Sequence, residues 1–346
     1  KKAALPPLGL ETIAAILPSN WKIKILDLNV QAFHQKFLRW ADIVMISAMD
    51  IQQQAANWFI ERCREIGVTI VAGGVLFTTR HQQYQNKVNH IICGETEETL
   101  PLLISDLENR CAKPIYFPSG FPDITKSPSP KRNLINPRHY YSRSIQTCRG
   151  CPHNCNFCLV RKLFGNKIRY KTVNQIMAEM DDLERSGWKA GIFFSDDNFI
   201  GKPRYIKEKI LPAMIARKRK VPKSTQTTIL LAKDPELREL MVKAGFETVF
   251  IGIETLDRES LADCNKGQNL VDIAEAIEII QRDGLQVQGS FLVGLDKQKP
   301  TVFDETIRFI QNSAIVTALV NMVNALPGTD YHEQLLGQGR IIGETS

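Results

Sequence analysis

The chain has 346 residues, of which 43% are hydrophobic and 23% charged, with a formal net charge of +7. That length accommodates two domains of ordinary size with a substantial core. The charge is too mild to point to nucleic acid, the longest apolar runs, such as Ile43–Met49, are too short to span a bilayer, and no export signal opens the sequence. A cytoplasmic protein is expected, in which eight cysteines read as thiols rather than as a disulfide scaffold.

Through residue 111 the chain alternates short β-branched runs with helical patterns. The spacing predicts strands over Lys22–Asp27, Ile43–Ser47, Thr69–Ala72 and His90–Cys93, and helices over Leu8–Leu17, Gln52–Ile66 and Glu97–Asn109. Such alternation implies a parallel sheet covered by helices on both faces, which binds ligands at the carboxyl ends of its strands. Those ends read Asp27-Leu-Asn29, Ser47-Ala-Met-Asp50, Gly73-Gly74 and Gly94-Glu95. A doubly wound domain ordinarily starts with a strand, and none precedes Leu8–Leu17, so residues before Lys1 are expected. Six prolines, at 114, 118, 122, 128, 130 and 137, mark an extended linker over 112–143.

A second alternating series occupies 144–330. Strands are predicted at Ser144–Thr147, Ile192–Ser195, Thr225–Ile229, Thr248–Ile253, Val287–Val293 and Ala318–Ala325, and helices at Val173–Ser186, Arg204–Arg219, Pro235–Ala244, Leu270–Asp283 and Val302–Ser313. Gly187, Gly245 and Gly284 are helix stops. This pattern is an α/β partial barrel whose chemistry belongs at the carboxyl ends of its strands. Residues 331–346 begin a further C-terminal region. The basic run Arg217–Lys220, followed by Lys223, reads as a solvated helix end.

The loop after the first of these strands carries Cys151, Cys155 and Cys158 in the pattern C-x-x-x-C-x-x-C. Three thiolates can hold three corners of a four-iron cluster and leave the fourth iron open to a ligand. A structural zinc site, using Cys148 or His153 as fourth ligand, is the alternative, although no second cysteine pair of the usual zinc spacing accompanies it. Cys63, Cys93, Cys111 and Cys264 read as small buried hydrophobes, and Cys148 as a bystander beside the cluster.

This pattern, with Phe157 before the last cysteine, resembles the radical S-adenosylmethionine (SAM) enzymes. Ser195-Asp-Asp-Asn198, Ile251-Gly-Ile-Glu-Thr255, Lys266, Gly289-Ser-Phe-Leu-Val-Gly294 and Leu326-Pro-Gly-Thr329 resemble that family's successive strand ends. The resemblance implies a 4Fe-4S cluster on the three cysteines. It also implies SAM contacts from Phe157, Ser195, Asp196, Asp197, Asn198, Gln226, Glu254, Lys266 and Ser290. The order of a Rossmann-like domain, a linker and a barrel is similar to the cobalamin-binding subclass, and Asp196-Asp-Asn-Phe-Ile-Gly201 with Lys266-Gly-Gln-Asn269 resembles the group containing hopanoid methylases. Cobalamin contacts are thereby implied for Asn29, Ser47, Gly73, Gly74, Thr78, Gly94 and Glu95.

Two of the departures from that subclass fall on single residues. Asn29 stands where a common motif has the cobalt-ligating His, and Gln226 stands where the group often has Glu. The resemblance implies methylation of an unactivated carbon on a hydrophobic or lipid-like small molecule, with a flavodoxin or ferredoxin as electron donor and no nucleic-acid partner. A lipid-like substrate is compatible with peripheral membrane contact. A radical cyclase or carbon-coupling enzyme without methyl transfer is the second reading, and a radical RNA-modifying enzyme the third.

Overall fold

The computed structural model describes residues 2–217 and 221–342. The chain forms two compact units, Lys1–Tyr141 and Ser142–Ser346.

The first unit is built on a parallel sheet of β1 (Ile43–Ser47), β2 (Thr69–Gly73), β3 (His90–Ile92) and β4 (Ile115–Tyr116), adjacent in that order. Strand alternation sends successive side chains to opposite faces. Ile70, Ala72 and Ile91 join a core with Ile60, Cys63, Leu76, Phe77 and Tyr84. Val71 and Ile92 join another with Leu100, Leu103 and Tyr116. The helices Leu8–Ile16, Gln53–Ile66 and Thr99–Glu108 supply these layers, and Gly67, at φ +77°, ends the second of them in the left-handed conformation that glycine adopts without strain.

Two expectations for this unit change. Lys22–Asp27 makes no strand pairing. Its alternation is real, but Ile23 and Ile25 pack onto Ala14, Ile135 and Tyr140 instead of entering the ladder. The fourth strand comes from Ile115–Tyr116 inside the proline-rich stretch, which belongs to the first unit rather than forming a free linker. Cys63, Cys93 and Cys264 are buried as expected, whereas Cys111 is exposed.

The second unit carries β5 (Arg143–Ile145), a two-stranded antiparallel ribbon of β6 (Cys148–Arg149) and β7 (Arg169–Tyr170), and then β8 (Ile192–Phe194), β9 (Lys223–Thr227), β10 (Phe246–Glu254), β11 (Gln286–Val293) and β12 (Thr317–Met322). β5 and β8–β12 form one parallel sheet in chain order, open at its β5 and β12 edges. Ile192, Phe194, Val249, Ile251, Ile253, Val287 and Phe291 face the helices and are buried. The alternate residues Phe193, Ser195, Gln226, Phe250, Gly252, Ser290 and Leu292 are half-buried on the inner face.

The helix expected over 204–219 is broken into Pro203–Tyr205, a π turn at Ile206–Ile210 and Leu211–Ile215. Pro212 lacks an N–H, and its ring clashes with the preceding turn, which the wider π turn relieves. Arg217 of the basic run is ion-paired with Asp181 and Glu184; residues 218–220 lie outside the described residues. Among the described residues, no helix is long and apolar enough to cross a membrane.

Candidate active site

The chain leaves β5 through Thr147 and enters the ribbon at Cys148. Asp196, just past β8, is fully buried and fixes this exit. Its Oδ1 accepts the N–H groups of Thr147 and Cys148, both at 2.7 Å, and its Oδ2 accepts the Thr147 hydroxyl at 2.6 Å. Burial pushes the Asp196 carboxyl up to about 6, against these donors, which favour its ionised form.

Gly150 then turns the loop at φ +95°. A Cβ there would lie 2.6 Å from the Lys167 carbonyl oxygen and 3.0 Å from that of Phe164, so only glycine lets the backbone wrap so tightly. The Cys151 N–H donates to Gly165 O, and the Asn156 N–H to Cys264 O, each at 3.1 Å. Cys151, Cys155 and Cys158 are half-buried free thiols on this anchored loop. Among the described residues, no three His, Cys, Asp or Glu side chains group around one metal ion. Three thiolates at this spacing suit a cluster, which gives each thiolate its own iron. Cys148 differs from them: its thiol is fully buried and lies 3.8 Å from Asn198 O.

Across the mouth, β10 ends in a bulge between Gly252 and Glu254. Glu254 sits at φ +67°, a conformation that costs a non-glycine residue about 1–3 kcal/mol. Its carboxylate is buried and accepts from Lys266 Nζ at 2.7 Å. Burial opposes the Lys266 charge, but Glu254 and the nearby cysteines outweigh it and hold its pKa above the ordinary value. A Cβ at Gly252 would press on the Glu254 and Lys266 side chains, so a larger residue there would have to shift the pair. Lys266 Nζ stands 6.0 Å from the Phe157 ring centroid. Asn198 is 2% exposed, and no partner for its Oδ1 is found in the described residues, which leaves a buried acceptor for a ligand. Asp197, half-buried, is pushed up to about 7 by burial and by Asp196.

In the first unit, Ser47, Gly73, Gly74, Thr78, Gly94 and Glu95 gather at the carboxyl ends of β1–β3. Gly74 is at φ +86°, and a Cβ there would lie 2.7 Å from Ser47 Oγ. The Thr78 hydroxyl donates to Gly74 O at 2.8 Å and accepts the Gly94 N–H at 3.0 Å, tying two strand ends together. Glu95 is buried. The exposed Asn29 donates to Asp27 Oδ1 through Nδ2 at 2.8 Å and through its N–H at 3.0 Å, while Asp27 Oδ2 accepts the Tyr140 hydroxyl at 2.9 Å.

Residues 145–310 match the model of the radical SAM superfamily and residues 2–104 that of the B12 binding domain. The chain belongs to the cobalamin-binding radical SAM family. It is 35% identical over 350 residues to an uncharacterized methyltransferase of Synechocystis sp., and 32% identical over 349 residues to the hopanoid C-2 methylase of Rhodopseudomonas palustris. These alignments take in 100% and 98% of the chain but 65% and 66% of those proteins, so the chain spans about two thirds of the relatives it matches. The fold is shared with the radical SAM methyltransferase TsrM from Kitasatospora setae, solved with cobalamin and a [4Fe-4S] cluster, at a TM-score of 0.81 and 14% identity over 98% of this chain and 76% of that one.

In this radical SAM chain the structure brings the three cysteines, Phe157, Glu254 and Lys266 together. Ser195, Gln226 and Ser290 fall on one inner face, because register pairs Gln226 with Phe250 and Gly252 with Ser290. Asp196 accepts at both carboxylate oxygens from Thr147 and Cys148. Sequence reasoning missed Thr147 and Asn269. The Asn269 amide donates to the Gly252 and Ile253 carbonyls at 2.8 and 2.9 Å and holds the bulge beneath Glu254. Asn269 closes the quoted Lys266-Gly-Gln-Asn269 stretch, so the segment was visible and its role was not.

Proposed function

We propose that this chain is a cobalamin-dependent methyltransferase that acts on an unactivated carbon of a hydrophobic small molecule in the cytoplasm, with a flavodoxin or ferredoxin as electron donor. One observation carries the reading: three anchored, half-buried thiols share the mouth of a parallel sheet with the buried Glu254–Lys266 pair. When bound, the cluster supplies the electron that breaks a carbon–sulfur bond of SAM, and cobalamin carries the methyl group.

Cys151, Cys155 and Cys158 would hold the cluster and leave it open to SAM. Lys266 would face the SAM carboxylate and Asn198 Oδ1 would accept from its amino group, with Ser290 and Gln226 on the inner face. Asp196 fixes the strand exit from which the cluster loop starts rather than touching SAM. Gly73, Gly74 and Gly94 would let backbone come close to cobalamin, which Ser47, Thr78 and Glu95 would help hold, and Asn29 would offer cobalt no imidazole. Phe193, Phe250 and Leu292 support a hydrophobic substrate, since they interleave with the polar residues of the inner face. The name of the Rhodopseudomonas palustris relative points the same way.

Anaerobic turnover with cobalamin, SAM, a reductant and a lipid extract tests this. The account expects deoxyadenosine and S-adenosylhomocysteine to appear together, and deoxyadenosine alone contradicts methylation.

A further inference from the structure

Each of the three cluster thiols faces an N–H donor, and the donors differ in kind. Beside Cys151 the His153 backbone N–H, and beside Cys158 that of Val160, favour the thiolate form. Cys155 instead accepts from a side chain, Gln268 Nε2, at 3.5 Å. Both partners of this bond are held from behind. Next to Cys155, the Asn156 N–H donates to Cys264 O at 3.1 Å and its side chain to Asp263 O at 3.2 Å. On either side of Gln268, Lys266 is bound to Glu254 and Asn269 to the carbonyls that end β10. The half-buried Gln268 amide is therefore presented to the sulfur by two fixed neighbours.

We infer that Gln268 is a positioning residue that sets the reduction potential of the cluster through Cys155. An N–H donated to a thiolate ligand stabilises the electron-rich reduced cluster more than the oxidised one, and so raises the potential. Of the three donors it is the one that mutation can remove without altering the backbone. The same loop would thus hold the SAM carboxylate through Lys266 and ease the electron's entry through Gln268. The inference rests on the assignment of Cys151, Cys155 and Cys158 as cluster ligands.

The test compares reconstituted wild type, Gln268→Leu and Gln268→Glu without SAM, first by iron and sulfide content and then by EPR-monitored redox titration. Both variants should keep the cluster and shift its midpoint to more negative potential. The reduced-to-oxidised ratio at the wild-type midpoint should fall about tenfold, which is about 59 mV for a one-electron couple. A fully loaded Gln268→Leu cluster with an unchanged midpoint overturns the inference alone. If the variants fail to take up iron, pulsed EPR of the reduced wild-type cluster with ¹⁵N-labelled glutamine must show coupling to a side-chain nitrogen, and its absence overturns the inference as well. A wild type that takes up no iron overturns the cluster assignment and the inference together.

Discussion

The two units present the same kind of edge, the carboxyl ends of a parallel sheet, but build it differently. In the second unit the edge is held by buried charge: Asp196 clamps the cluster loop, and Glu254 and Lys266 face each other across the mouth. In the first unit the edge is mainly glycines and hydroxyls, and Asn29 and Ser47 are exposed. Buried polar groups must be matched one to one, because an unmatched one is costly. An edge that receives a large flat ligand mainly needs room.

The largest difference should appear in metal retention. Serine at Cys151, Cys155 or Cys158 should cut reconstituted iron by about tenfold or more, since each thiolate holds its own iron. Cys148→Ser should leave iron content unchanged, because that thiol is buried against Asn198 O. Loss of iron in the Cys148 variant would return it to the ligand set.

The charged pair comes next. Lys266→Met strands the buried Glu254 carboxylate and should cost about 3–5 kcal/mol of apo-protein stability in urea unfolding. The double variant Glu254→Gln, Lys266→Met should recover part of that loss. A double variant that costs the sum of the two single variants would mean the pair is not coupled.

These effects rest on partners that the sequence showed unevenly. The cysteine spacing was legible because thiolate ligation needs particular residues at short range. The strand periodicity was legible because burial imposes it. Lys22–Asp27 misled because alternation reports a buried face and not a strand partner. Asp196 was read as a ligand contact because an aspartate at a strand end looks the same whether it faces SAM or a neighbouring loop. The donors it meets here, Thr147 and Cys148, lie about fifty residues earlier in the chain.

A pair of glycine substitutions sharpens the contrast between the edges. Both Gly150 and Gly74 have positive φ, but a Cβ at Gly150 meets backbone carbonyls, whereas at Gly74 it meets the Ser47 hydroxyl, which can rotate. Gly150→Ala should cost about 3 kcal/mol and Gly74→Ala about 1–2 kcal/mol by urea unfolding. The reverse order would contradict the tighter wrapping of the cluster loop.

Proton linkage gives a smaller effect confined to the second unit. Burial and Asp196 raise Asp197 from 3.8 to about 7. The folded protein then binds a proton that the unfolded chain has released, so this carboxyl favours folding at low pH, and that contribution is lost as pH rises towards about 7. Asp197→Asn should therefore gain about 2–3 kcal/mol on wild type between about pH 5 and about pH 8. Parallel stability curves would show that Asp197 titrates normally. Smallest of all, Asn29→Ala removes one exposed side-chain bond to Asp27 and should cost at most about 1 kcal/mol.

The most direct test of the whole account is the metal content of the anaerobically reconstituted wild-type chain, incubated with cobalamin and freed of excess. The account predicts about four irons and four sulfides per chain, with cobalt bound alongside. Zinc without iron would contradict it.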